Sequence, residues 1–343
     1  MVDLNDSLVS HISIALVGGI LGRGLTYLTF IVIARGMGAS VLGVFSFLLM
    51  LYNIGSIIPR GGMGTAAQKF IPEFESGNAK SEFTGLVIIV LLFPILVGSI
   101  FFLGLYFSFD VLVNYFNPRF PSGFRVFLVG IPIFAIMQVG AATTRGFRET
   151  KYSVYVKDIA QKLSAILLVV VSIHALGTID GILFSYVISL GIGSVLAVYF
   201  IYINGRPLFT WNINFEARRI LTFSMPLIPM AISHRLLSYT DVLMLGIFTD
   251  FSSVGLYQAA YQTSLILLLV LNSANAIFPS VASDLFQRGE MDRLKRVYQS
   301  VTKWIFYVSG IGYIFLLVFA SDIMGIFGSE FQNAGAFLAV LGA

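Results

Sequence analysis

FTGLVIIVLLFPILVGSIFFLGLYFSF, residues 83–109, holds no Asp, Glu, Lys or Arg. A helix of about 20 apolar residues crosses the hydrocarbon core of a bilayer, and this stretch is long enough to do so. The same absence of charge recurs over 36–59, 126–144, 181–205 and 251–283. Across the 343 residues, 57% are hydrophobic and 11% charged, with a mean hydropathy of +0.90. A soluble domain carries about 25% charge. This chain cannot cover a water-facing surface, but it can face lipid if its backbone polar groups are paired within helices. The runs are continuous and lack the apolar/polar alternation of an outer-membrane barrel. The expected fold is all-α, a polytopic membrane helical bundle.

Apolar runs between clusters of charge and turn residues set spans near 12–34, 41–59, 83–107, 124–144, 159–177, 182–203, 220–248, 254–282 and 304–320, with a tenth beginning near 332. Fifteen lysines and arginines fall in the loops after even-numbered spans: Arg60, Lys69 and Lys80; Arg145, Arg148, Lys151 and Lys157; Arg206, Arg218 and Arg219; Arg288, Arg293, Lys295, Arg296 and Lys303. The other side holds three, Arg35, Arg119 and Arg125. The positive-inside rule then places the even loops and the N-terminus in the cytoplasm, with the protein multi-pass in the cell membrane. The acidic start, MVDLNDSLVSH, lacks the basic region of a cleaved signal peptide, so the first apolar segment is expected to stay. Zero cysteines exclude disulfides and cysteine-ligated metals, and the scattered His11, His174 and His234 make no local metal motif. No metal or cofactor is expected. The net charge of +4 is what the basic loops of an inserted protein produce, and nucleic acid is not an expected partner.

Laid over itself at a shift of 212 residues, the chain matches Ile20 with Ile232, Arg23 with Arg235, Leu25 with Leu237, Tyr27 with Tyr239, Ser40 with Ser252 and Gly43 with Gly255. The same register pairs Leu105 with Leu317, Phe107 with Phe319 and Asp110 with Asp322. Chance in an apolar alphabet accounts for leucine pairs but poorly for an intramembrane arginine pair. Six spans separate equivalent positions, an even number, so the two six-helix repeats are expected to run parallel around a central cavity, as in two-lobed transporters. The expected division is an N-terminal lobe over 1–204, a cytoplasmic linker over 205–219 and a C-terminal lobe over 220–343. Residue 343 falls opposite position 131, early in the fourth span, so the second repeat is expected to be truncated, with spans seven to nine and the start of ten.

IARGMGASVLGVFSF (33–47), TRGFRETKY (144–152) and VGLYQAA (254–260) resemble the oligosaccharide or polysaccharide flippase family, part of the multidrug/oligosaccharidyl-lipid/polysaccharide exporter superfamily. The likeness covers essentially the whole chain and is one of pattern and spacing. It implies a two-lobed bundle of twelve or fourteen helices. Its implied work is to move a lipid-linked oligosaccharide, on a polyprenyl phosphate or pyrophosphate, from the inner to the outer leaflet by alternating access. The implied partners are that lipid-linked oligosaccharide and membrane lipids, and the implied purpose is export of cell-surface polysaccharide.

Charges at membrane depth are few: Arg23 midway along the first span, Arg235 midway along the seventh, Lys162 near the inner end of the fifth, and Asp241 beyond Arg235. A central arginine costs about 2.5–3.5 kcal/mol to insert. Arg23 lies about 11 residues, roughly 16 Å, from either helix end, beyond snorkelling reach. Both arginines are expected in a wet cavity between the lobes, where guanidinium forks bind phosphate bidentately. The competing reading pairs them with backbone carbonyls or Asp241, but one acid cannot neutralise both. Tyr27 and Tyr239 follow by one turn, and both sugar stacking and plain helix packing fit them. Asp241 and His234 share a helix face, either as a coupling site for a proton or monovalent cation or as a structural pair. Lys162 fits snorkelling to the inner surface better than a place in the cavity.

Gln138, Gln258, Gln262, Asn272 and Asn275 suit either a cavity lining or glue between helices. Pro226 and Pro229 on the seventh span, and Gly18, Gly19, Gly22 and Gly24 on the first, predict bends there. Leu285, Met291, Leu294, Val297 and Tyr298, spaced among basic residues, predict an amphipathic surface helix over 284–303, with a solvated linker as the alternative. No catalytic constellation appears. A membrane glycan ligase or transferase needs acids or histidines in a sizeable outer loop, and the longest, 108–123, offers only Asp110. A multidrug exporter of cations would carry carboxylates in its cavity, where this chain has a surplus of arginine. The expectation is a transporter of an anionic substrate, not an enzyme.

Overall fold

A computed structural model describes residues 2–109 and 124–342. Most of the 108–123 loop, with Asp110 and Arg119, lies outside the described residues. The first helix, α1 (Val2–Gly55), is broken once, at Gly38, whose φ of 85° only glycine adopts readily. The chain reverses there. Phe30 and Phe45 put their ring centroids 6.0 Å apart, whereas 15 residues of unbroken helix would separate them by about 22 Å. The first two expected spans are therefore the arms of one hairpin. Glycine offers no side chain to cap the second arm, and Glu330 supplies the cap from far along the chain, its Oε1 accepting the Ala39 N–H at 2.7 Å.

Left-handed Gly61 and Gly62 turn the chain from α2 (Ile57–Arg60) into α3 (Met63–Ser76). This helix lies in a stretch expected to be a loop. Met63, Ala66, Ala67, Phe70, Ile71 and Phe74 make its buried face at helical spacing, and they form a second core with Phe83, Leu86 and Ile220. Next come α4 (Lys80–Phe107) and α5 (Phe124–Gly146). Then α6 (Thr150–Val154), a π-helical turn over Tyr155–Ala160 and α7 (Gln161–Ala175) continue as one rod, and α8 (Ile179–Gly205) follows. The seventh span is divided into α9 (Ala217–Ser224) and α10 (Leu227–Phe248), with the break at Met225 and Pro226. The first span keeps helical backbone through its glycines. Gly18 and Gly22 admit Val154 and Asp158 at close approach, so they serve packing where a bend was expected.

α11 (Phe251–Ser264), α12 (Leu268–Gln287), α13 (Met291–Val318), α14 (Ala320–Met324), a 3₁₀ turn over Ser329–Ala334 and α15 (Gly335–Leu341) complete the described chain. The surface helix expected over 284–303 is not one helix. Gly289, at φ 72°, turns α12 directly into α13. Among the described residues, seven helices are long and apolar enough to cross a membrane, one of them containing the reversal at Gly38.

A second hairpin joins α10 to α11. Tyr257 Oη donates to Asp241 across it, and Asp250 caps its second arm by accepting the Ser253 N–H at 2.8 Å. The two reversal points, Gly38 and Asp250, stand 212 residues apart. The hairpins also pack on each other. A Cβ on Gly43 would strike the carbonyl of Phe251, and a Cβ on Gly255 would strike the carbonyl of Ala39. Ala39 and Phe251 are again 212 apart, so each contact repeats the other, the form of a self-complementary two-fold interface. Only glycine lets two helix backbones approach this closely.

Candidate functional site

Two adjoining chambers lie among the hairpins, α5 and the π-helical turn. The one toward the basic end, about 670 Å³, is lined by Arg60, Gln68, Arg145, Lys157, His234 and Arg235 among others. The deeper one, about 540 Å³, is lined by Asn53, Lys162, Tyr186, Tyr239, Gln258 and Tyr261 among others. Gln138, Lys157 and Arg235 line both, which makes the space continuous.

Four cations and no carboxylate line the first chamber. Arg60 is held along its helix end, Nε donating to the Ser56 carbonyl at 3.3 Å and a terminal nitrogen to the Asn53 carbonyl at 3.4 Å. Arg145 ends α5 and donates to Ser153 Oγ at 3.2 Å across the turn into α6. Lys157 sits in the π-helical turn, before the fifth span. Its burial, and then the Arg145 guanidinium, push its ammonium down to about 8. Like charges gathered around one chamber repel one another, and an anion placed among them relieves that repulsion.

In the deeper chamber the acid is Asp158, whose carboxylate stands 3.5 Å from Lys162 Nζ. Lys162 therefore reaches back one turn toward the inner end while lining the chamber. Gly22 makes this possible, since Asp158 atoms lie 2.8 and 2.9 Å from where a Cβ at that position would be. Gln161 Nε2 donates to Ser189 Oγ at 3.2 Å in the same wall.

The other expected residues divide. Arg235 and Tyr239 line the chambers, as do His234, Gln138, Gln258 and Gln262. Asn272 and Asn275 are exposed elsewhere. Arg23 lines neither chamber and is exposed. Gly22 takes the face toward Asp158, which turns Arg23 about 100° away around the helix. Arg23 and Arg235 share no chamber lining, although the Arg23 charge acts on Lys162, which lines the deeper chamber together with Arg235. Tyr27 packs between the hairpins, its Oη 3.1 Å from Thr263 Oγ1 and its ring edge-on to Phe327 at 5.3 Å. Asp241 and His234 are also apart. Asp241 binds Tyr257, which stacks on Tyr261, while His234 faces the first chamber. The second oxygen of Asp241 and Oε1 of Gln258 are buried without a hydrogen-bond partner among the described residues.

Toward the end opposite the basic loops the described hairpins are in close contact. Gly43 and Gly255 interlock there, Phe47 meets Phe251 at 5.8 Å, and Arg35 Nε donates to the Ile326 carbonyl at 2.6 Å.

This architecture is that of the MATE transporters. An inward-facing multidrug resistance MATE transporter superposes with a TM-score of 0.73 at 16% identity, covering 93% of this chain and 76% of that one. An outward-facing form gives 0.69 at 16% identity, with coverage of 98% and 77%. The polysaccharide biosynthesis protein family matches over residues 8–285, and the chain belongs to that family as a multi-pass membrane protein. A curated relative, the probable low-salt glycan biosynthesis flippase Agl15 of Haloferax volcanii, is 29% identical over 333 residues. The match takes in 95% of this chain and spans 66% of that relative's length.

Proposed function

We propose that this protein is a transporter and not an enzyme, moving an oligosaccharide linked to polyprenyl phosphate or pyrophosphate from the inner to the outer leaflet for export of cell-surface polysaccharide. The observation that carries the reading is the first chamber, with Arg60, Arg145, Lys157 and Arg235 in its lining and no carboxylate. A phosphate brought alone to membrane depth faces a prohibitive desolvation cost, and preplaced cations offset it. An exporter of cationic drugs needs the opposite charge in its cavity. The saccharide then lies in the deeper chamber, against Tyr186, Tyr239, Tyr261 and the amides of Gln258 and Gln262. The flippase name of the relative points the same way.

In this reading residues 1–204 and 220–343 rock as lobes about the linker, and the mutual contact of Gly43 and Gly255 marks their shared axis. With the basic loops in the cytoplasm, the chambers face inward and the interlocked hairpins lie on their outer side. Asp241, one oxygen of which has no partner among the described residues, is the place for a coupling proton or monovalent cation. Native mass spectrometry of the detergent-solubilised protein with polyprenyl phosphate tests the anion site. Binding should be lost in Arg145→Gln and Arg235→Gln and retained in Arg23→Gln. Undiminished binding in the first two variants would overturn the reading.

A further inference from the structure

We propose that the segment joining the two lobes, together with α3 and α9, is a docking site for an anionic phospholipid of the leaflet at the basic end. The proposal is independent of what the chambers carry. Residues 206–216 lie flat on the first turns of α4. The Asn214 N–H donates to the Ser81 carbonyl and the Thr210 N–H to Thr84 Oγ1, each at 3.1 Å, and Asn214 Nδ2 donates to Glu82 Oε1 at 3.1 Å. Gly85 lets the Asn214 carbonyl settle against the helix. The segment thus sits level with the ends of three spans, those of α4, α8 and α9, the depth at which lipid headgroups lie.

At that depth the chain exposes its apolar side chains. Trp211 is 100% exposed, Ile213 40% and Phe215 54%. The three stand exposed within five residues of one another, and tryptophan at a span end is the mark of a bilayer interface. Beside them an open groove of about 650 Å³ runs between α3 and α9, lined by Lys69, Phe70, Phe215, Arg218 and Phe223, with Glu216 and Arg219 also present. Arg219 is taken up by Glu216 at 2.9 Å and by Glu73. Lys69 has no carboxylate partner among the described residues, and its Nζ rests 4.0 Å over the Phe223 ring. Arg218, Lys80 and Arg206 are exposed and likewise form no ion pair among the described residues. The surplus is positive and the floor aromatic. That pairing suits a phosphate held between Lys69 and Arg218, with acyl chains running down past Phe215 and Phe223.

Trp211 and Trp304 are the protein's two tryptophans. Trp304→Phe therefore leaves Trp211 as the sole tryptophan reporter in full-chain protein reconstituted into vesicles of phosphatidylcholine and phosphatidylglycerol, one or the other brominated near the headgroup. The expected result is blue-shifted Trp211 emission, quenched more strongly by brominated phosphatidylglycerol than by brominated phosphatidylcholine. Lys69→Gln with Arg218→Gln should abolish the preference while quenching persists, and Lys69→Arg with Arg218→Lys should keep it. Unquenched, water-like emission would overturn the proposal and leave the patch to a protein partner. Equal quenching by the two lipids, or a preference that survives the glutamine pair, would overturn it as well.

Discussion

At the scale of single residues, the chambers are built from cations that sequence patterning assigns to loops. Arg60, Arg145 and Lys157 each sit at the end of a span, where a basic residue is what the positive-inside rule supplies anyway. Whether such a side chain points to water or into a cavity depends on the turn beside it. Here the turn includes Arg148 at a φ of 62°, a conformation no spacing rule announces. A central arginine demands a reason, and Arg23 and Arg235 look alike in sequence, so which of them lines a chamber depends on the helix face that only the packing sets. Lys157 yields a prediction. Its pKa lies below the usual lysine value, at about 8. It is therefore charged below that pH and loses its charge as pH rises through it. Arg60, Arg145, Asp158 and Lys162 face it. Polyprenyl phosphate binding should weaken between pH of about 7 and about 9, and Lys157→Arg should flatten that slope because arginine keeps its proton. A binding titration across that range that stays flat in the unmodified protein would contradict the assignment.

At the scale of elements, the two hairpins are joined by glycines that no side chain can replace. Gly43→Val and Gly255→Val should each destabilise the protein by about 1–3 kcal/mol through overpacking. Gly19→Val should be milder, because no described residue lies within 4 Å of a Cβ there. Thermal unfolding in detergent compares the three, and equal melting points would refute the close packing. Glu330→Gln weakens the cap on Ala39, worth about 1 kcal/mol, and should speed hydrogen exchange at that amide. Most of the spans were readable from charge-free runs, and the hairpin tips fall between them, but the eighth, expected over 254–282, is broken at 265–267 between α11 and α12. The helix α3 was not readable. Its apolar positions follow helical spacing, but Gly61, Gly62 and an internal Pro72 resemble loop punctuation, and only packing on α4 and α5 reveals the pattern. The surface helix expected over 284–303 failed for the opposite reason, since Gly289 ends one helix in the middle of an amphipathic pattern.

At the scale of the whole molecule, composition alone fixes the class, because a chain so poor in charge has only lipid to face. The chambers are a tertiary product of residues as distant as Arg60 and Arg235, and one sequence read alone shows no sign that these two meet. Orientation is the first whole-molecule prediction. In a protein without cysteine, thiols introduced at the exposed Ser76 and Gln287 should label from the cytoplasmic side alone, and one at Thr249 from the outer side alone. Labelling in the reverse sense would invert the direction of transport. The most direct test of the central claim is the transbilayer movement of a fluorescent polyprenyl-pyrophosphate oligosaccharide in proteoliposomes, read by quenching from outside. The account predicts movement that is abolished by Arg145→Gln or Arg235→Gln and little changed by Arg23→Gln. Movement unaffected by the first two variants, or transport of a cationic dye in place of the lipid-linked saccharide, would contradict it.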